Sequence, residues 1–340
     1  MKNTSPIVRT GLALAVGITS ALGVYTSRAD APTKNGKIRI VTVVKRTGIA
    51  WFERMEVGIK KFGSDNGVNA TMTGAADADP QKQAEIIRKL IDEKPDAITV
   101  VPNSPESLEA VLKKARATGI KVVTHEAGNQ INTDVDIEAF DNLAYGAHLM
   151  DELASCMGGK GDYVAFVGHT TARSHVRWVG AALERAKQKY PAIKRSGEPI
   201  ESGEHLETAY QQAKKLLAKY PALKGFEGSS VVDIAGIGRA VREAGRQNTT
   251  CVMGTSLPSV AGDFLKDGAV DKIFLWDPVT AGEAQDKLAL MLIKGEKIGP
   301  GTDLGLPGYR SLKRIPGTPH ALAGSGWIAI DKANVGEYRF

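Results

Sequence analysis

From Lys37 onward, short apolar runs alternate with amphipathic stretches. The apolar runs fall at residues 38–44 (IRIVTVV), 97–101, 121–125, 163–168 and 272–276. They are rich in β-branched residues and nearly continuous, the pattern of strands covered on both faces of a parallel sheet. Between them the apolar period lengthens. Leu108, Val111, Leu112 and Ala115 follow the i, i+3, i+4, i+7 rule, and Leu206, Ala209, Tyr210, Ala213, Leu216 and Leu217 extend it over three turns. Asp79-Pro80 and Ser104-Pro105 place a capping side chain ahead of a proline, which is a helix start. Tyr190-Pro191 and Tyr220-Pro221 end helical runs in the same way twice.

Strand and helix in alternation make βαβ units with right-handed crossovers. About four units precede His125 and about four more lie between Asp162 and Trp276. The fold class expected is α/β, with two Rossmann-like lobes built on parallel sheets. The segment 127–141 lacks a helical period and reads as a first crossing between lobes, and 276–278 as a second. The N-terminal lobe is therefore expected over 37–126 plus 278–300 and a C-terminal strand at 327–330, and the C-terminal lobe over 141–276.

Composition changes this picture little. A chain of 340 residues with 42% hydrophobic and 24% charged content is long enough for two soluble domains. Residues 1–29 open with Lys2 and Arg9 and continue through a short apolar stretch to Ser27-Arg28-Ala29, which predicts a secretory signal peptide cleaved after Ala29. Losing Lys2, Arg9 and Arg28 with that leader lowers the net charge from +6 to +3, too little to imply a nucleic-acid partner. Export permits a disulfide between Cys156 and Cys251, but cysteine is often a small core residue, and two free buried thiols are the expectation.

Motifs for chemistry are missing. No GxxxxGK[ST] loop, GxGxxG, HExxH or GxSxG occurs, and the six histidines show no i, i+4 pair. No enzyme activity, cofactor or metal is expected, and weight shifts to a binding role. In open α/β sheets ligands bind beyond the carboxyl ends of the strands. Lys45, Trp51 and Phe52 follow the first strand there, Glu126 the strand ending at His125, and Arg173, Ser174 and His175 the strand ending at Gly168. Asp233 and Asp277 follow later ones. Charged groups hydrogen-bond neighbouring hydroxyls, and aromatic faces cover a sugar's C–H face, so these nine residues are the candidate ligand contacts. Asp277 and Asp233 each also suit a helix cap, Trp51 and Phe52 also suit a core, and Trp178 and Trp276 read as core.

FLWDPVTAG (274–282), GTSLPS (254–259), DLGLPG (303–308) and the closing WIAIDKANVGEYRF resemble the periplasmic sugar-binding proteins of ABC importers, in the ribose/galactose-type cluster. Within it the chain is most similar to autoinducer-2-binding and rhamnose-binding proteins. That resemblance implies two α/β lobes joined by a three-crossing hinge, the periplasmic binding protein type I architecture, with ligand held between them. It also implies that Lys45 is a ligand-contacting lysine and that Glu126 stands where an acidic ligand residue, usually Asp, is found. Autoinducer-2 binders carry Asp-Gln where this chain has Ser174-His175, and Pro-x-Ala where it has Ser229-Ser230-Val231. A pentose, deoxyhexose or sugar alcohol thus fits better than autoinducer-2, the alternative ligand. The partners expected are that small molecule and an inner-membrane ABC permease, with the chain a periplasmic monomer. A cytoplasmic sugar-responsive regulator is the rival of another class, and an export leader occupies the place of its DNA-reading helices.

Overall fold

The computed structural model describes Met1 and residues 36–340, so the leader predicted over 1–29 lies outside the described residues. The chain first lays down β1 (Arg39–Val44), α1 (Ala50–Asn66), β2 (Asn69–Gly74), α2 (Pro80–Glu93), β3 (Ala97–Val100), α3 (Pro105–Ala117), β4 (Lys121–His125) and β5 (Val135–Glu138). It then crosses into α4 (Asn142–Cys156), β6 (Gly161–Val167), α5 (Arg173–Lys189), β7 (Ile193–Arg195), β8 (Ile200–Glu201), α6 (Leu206–Lys219), β9 (Gly225–Gly228), α7 (Asp233–Glu243), β10 (Cys251–Thr255), α8 (Pro258–Asp267) and β11 (Lys272–Leu275). A second crossing leads to α9 (Pro278–Ile293), β12 (Lys313–Arg314) and β13 (Ala321–Ala323), and a third to β14 (Ile328–Asp331).

Two sheets result. The first has the order β12-β13-β5-β4-β3-β1-β2, the second β14-β11-β10-β9-β6-β7 with β8 also on β6. All pairings are parallel except β12 with β13 and β11 with β14. This is the two-lobed, parallel-sheet α/β fold expected from the sequence. One strand is placed differently. The last strand pairs antiparallel with β11, Ile273 opposite Ile330, and so belongs to the second sheet and not to the N-terminal lobe. The physical reason is that β11 is otherwise an open edge, and the apolar Ile328 and Ile330 cover it.

The run IRIVTVV is apolar on both faces because both are covered. Val41 and Val43 pack with Ile87, Ile91, Leu108 and Leu112 of α2 and α3. Ile40 and Val44 face the opposite way, toward Phe52, Met55 and Ile59 of α1 and Ala281 of α9. The helices α1 and α9 approach so closely that a Cβ on Gly58 would lie 2.0 Å from the Val279 carbonyl oxygen. The helix starts expected at Asp79 and Ser104 are present: the Asp79 carboxylate accepts from the Gln81 and Lys82 N–H groups, and the Ser104 hydroxyl from the Ser107 N–H.

The cysteines overturn the free-thiol expectation. Cys156 ends α4, Cys251 begins β10, and the two form a disulfide with Cα atoms 6.1 Å apart. Sequence spacing could not show that the helix end lies over the strand start across 95 residues.

The crossings form a compact hinge. The first and third lie side by side, with Gly324 N–H donating to the Glu138 carbonyl at 2.9 Å and Gly326 N–H to the Ala139 carbonyl at 3.1 Å. At the second, Asp277 accepts a bidentate pair from Arg54 of α1, at 2.8 and 2.9 Å, while capping α9 through the Val279 N–H.

Candidate functional site

The carboxyl ends of both sheets converge on one narrow cavity. The first lobe lines it with Lys45, Ile49, Trp51, Phe52 and Glu126. The second supplies His175, Trp178, Glu204, Ser229, Ser230, Val231 and Thr255, and the second crossing supplies Trp276.

Lys45 follows β1 directly, so a strand covered on both faces carries its ammonium into the interior, where the residue is 5% exposed. Its Nζ lies 3.0 Å from Glu204 Oε1 of the other lobe and 3.8 Å from Glu126 Oε2 of its own. Burial opposes the charge on Lys45, but Glu204 and Glu126 outweigh it and hold the ammonium above its ordinary range.

Both carboxylates sit on left-handed backbone. Glu126 follows β4 at φ 60°, and Glu204 has φ 58° in a tight turn after β8, beside Gly203 at φ 66°. In that turn the Ser202 hydroxyl accepts from the Glu204 N–H at 3.2 Å. Side chains pay for such a conformation, and a fold that keeps it twice at one cavity is aiming two carboxylates. Ser174 of α5 donates to Glu126 Oε2 at 2.9 Å, a second bond across the cleft.

His175 is polarised by its neighbours. The Gly168 N–H donates to its Nδ1 at 3.1 Å, which leaves Nε2 as the protonated nitrogen. Burial and the Lys45 ammonium push this imidazole well below its ordinary range, so it is a neutral hydrogen-bond donor. The aromatic wall is tight: the Trp51 and Trp276 rings meet edge-on at 4.6 Å, and Trp178 and Trp276 at 5.7 Å.

Five of the nine residues predicted as ligand contacts therefore line one cavity: Lys45, Trp51, Phe52, Glu126 and His175. Four do not. Ser174 lies one step behind and positions Glu126. Arg173 is exposed on the first turn of α5, because the Ser174-His175 face of that helix is the one that packs inward. Asp233 is buried and accepts from the Ser229 and Ser230 N–H groups at 3.2 and 2.8 Å, holding the turn that carries those serines, and burial pushes its carboxyl up to about 7. Asp277 is the α9 cap and the partner of Arg54.

Trp178 and Trp276, read as core, are both core and cavity wall, with 2% and 3% exposure. Glu204 was missed because β8 is only two residues long and leaves no apolar run to mark a strand end. Ser230 lies just past β9 and Thr255 ends β10, so the rule that found Lys45 points to them too.

At its mouth the cleft is bridged again. Arg46 donates to the Glu204 backbone carbonyl at 2.7 Å and lies 3.5 Å from His205 Nδ1, and His205 Nε2 lies 3.8 Å from Asp77. These contacts join the lobes in a closed arrangement.

The chain is similar to several known proteins. The family model described as a periplasmic binding protein domain matches residues 40–297. A xylitol-binding protein of Mycolicibacterium smegmatis is 27% identical over 79% of this chain and 73% of its own length. A D-ribose/D-allose-binding protein of Pseudomonas aeruginosa is 27% identical over 74% of this chain and 80% of its own. Among solved structures, an ABC transporter solute-binding protein from Clostridium phytofermentas with bound L-rhamnose superposes with a TM-score of 0.83 at 20% identity, covering 89% of this chain and 98% of that one. LsrB from Clostridium saccharobutylicum in complex with AI-2 gives 0.81 at 18%, covering 88% and 99%. At that identity the likeness is one of fold.

Proposed function

The chain belongs to the periplasmic binding protein family, and from that premise we propose that it is the solute-binding component of an ABC importer for a small sugar or polyol. The observation that carries this reading is the cavity between the lobes, where Lys45, Glu126, Glu204 and His175 meet under three indoles. Hydroxyl groups both donate and accept, so they match an ammonium and an imidazole N–H on one side and two carboxylates on the other. A pentose, deoxyhexose or sugar alcohol suits this set of polar groups and indole faces, and the relatives are named for xylitol and for ribose and allose, small polyhydroxylated molecules.

In this reading an open form takes ligand on one lobe and then closes about the three crossings. Contacts from both lobes, together with Lys45–Glu204 and Ser174–Glu126, favour the closed state. The closed monomer is what an inner-membrane permease recognises on the periplasmic side. Among the described residues no helix is long and apolar enough to cross a membrane. AI-2 is the second reading; against it, Ser174-His175 and Ser229-Ser230-Val231 depart from the residues expected of such binders.

Thermal melting in the presence of pentoses, deoxyhexoses and alditols tests the proposal, since a ligand bound only by the folded state raises the melting temperature. At least one of them should do so at micromolar concentration. Ligand-free protein that responds to none would defeat the sugar-binding reading, and turnover of any would make the protein an enzyme.

A further inference from the structure

The cavity holds more acid than base. Lys45 is its one lining cation among the described residues, against the carboxylates of Glu126 and Glu204. The neighbouring cations are spent elsewhere. Arg46 is engaged by the Glu204 backbone carbonyl and faces His205 at the mouth, and Arg173 is exposed. His175 contributes an N–H and no charge. Glu204 is also unsaturated. It is 2% exposed, and its Oε2 has no hydrogen-bond partner among the described residues. A buried carboxylate oxygen without a donor is costly, and a ligand hydroxyl is the group that would satisfy it.

We infer that Glu204 sets the charge class of the ligand: with Glu126 it outnumbers Lys45, so the cavity takes a neutral, hydroxyl-donating molecule and excludes the carboxylate and phosphate derivatives of that same molecule. This rests on the sugar-binding reading and sharpens it. An ionised carboxylate on the ligand has no hydrogen to give Glu204 Oε2, and it would bring a third negative charge beside one ammonium in a space walled by indoles, where charge is weakly screened. The indole N–H of Trp276, which has no partner among the described residues, and the His175 Nε2–H remain for the ligand's acceptors.

Titration calorimetry on the whole mature chain tests this with matched sets: D-ribose, D-ribonate and D-ribose 5-phosphate; xylitol and D-xylonate; L-rhamnose and L-rhamnonate. The wild type should bind a neutral member and bind its anionic counterpart at least 100-fold more weakly. Glu204→Gln keeps the shape of the side chain and removes one charge. It should narrow that ratio at least tenfold, mainly by gaining affinity for the anion, while a thermal melt confirms that it is folded. Glu126→Gln should narrow the ratio in the same direction and serves if the first variant does not fold. An anion bound within tenfold of its neutral parent by the wild type, or a ratio that neither variant moves, would overturn the inference while leaving the sugar-binding function standing. Failure of every compound to bind, whatever its charge, would instead defeat the function itself and the inference with it.

Discussion

Lys45 Nζ and Glu204 Oε1 lie 3.0 Å apart although the two residues belong to different lobes and are joined by no local stretch of chain. The pair is nearly dry, with side-chain exposures of 7% and 1%. Taking two charges out of water is repaid only when both are present, and removing one partner typically costs about 3–5 kcal/mol.

Lys45→Met should therefore act on closure more than on folding. Two carboxylates would face each other across the cleft with no counter-charge, and the lobes relieve this by separating. Ligand affinity is expected to fall at least 100-fold, with a larger radius of gyration in small-angle scattering. The double variant Lys45→Met/Glu204→Gln should recover part of the compactness, because the stranded charge has gone with the lysine. A single variant as compact as the wild type would show that the pair does not hold the lobes together.

Buried acids give stability a definite pH dependence. Asp286 of α9 is fully buried beneath β1 and β3, its hydrogen-bond partners among the described residues being the Thr42 and Thr99 hydroxyls, at 3.4 and 3.5 Å, and burial pushes its carboxyl up to about 8. Burial likewise pushes Glu227 up to about 8. A carboxyl raised in the folded state holds a proton that the unfolded chain has released. Its contribution is complete below the ordinary carboxylate range and is lost as pH climbs through about 8. The protein should melt higher at pH 5 than at pH 8. Asp286→Asn should reduce that difference, with an effect on the order of 3 kcal/mol at pH 8 and little at pH 5. A parallel drop at both pH values would contradict the assignment.

The disulfide should be separable from binding. Cys251 begins β10, and Thr255, which lines the cavity, ends it. Closing a loop across 95 residues contributes chiefly by restricting the unfolded chain. Replacing both cysteines by alanine is expected to cost roughly 2–5 kcal/mol in denaturant unfolding and to change ligand affinity less than threefold. A large loss of affinity with unchanged stability would be the opposite result.

Asp277, expected from the sequence to touch ligand, should behave as a hinge residue. Asp277→Ala removes an α9 cap and the partner of Arg54, and is expected to lower stability by about 1–2 kcal/mol. Asp277→Asn keeps an acceptor for the Val279 N–H and should lose less. If Asp277→Ala instead weakened binding as much as Lys45→Met, the residue would have to be returned to the ligand site.

How much of this was legible follows from what each signal measures. Strands such as Arg39–Val44 announce themselves because burial on both faces writes a continuous apolar run, and the residue after such a run points at the cleft. Lys45, Glu126 and His175 follow from that rule. Glu204 does not, because the two-residue β8 writes no run and the residue's position depends on a left-handed turn. Asp233 and Asp277 were expected at the cavity and do not line it, for a related reason. A carboxylate after a strand can bond a ligand or the first N–H groups of the next helix, and only the backbone geometry decides. The partner strand of β14 was equally invisible, since an edge is defined by the strands around it and not by its own residues.

The three crossings bear on how the protein meets proteases. A single cut at any one of them would leave two peptide connections between the lobes, so the halves would stay joined and the nick would show only on a denaturing gel. Nor can either half be obtained by stopping the chain partway: the first sheet needs Ala321–Ala323, and the second needs Ile328–Asp331, to cover their edges.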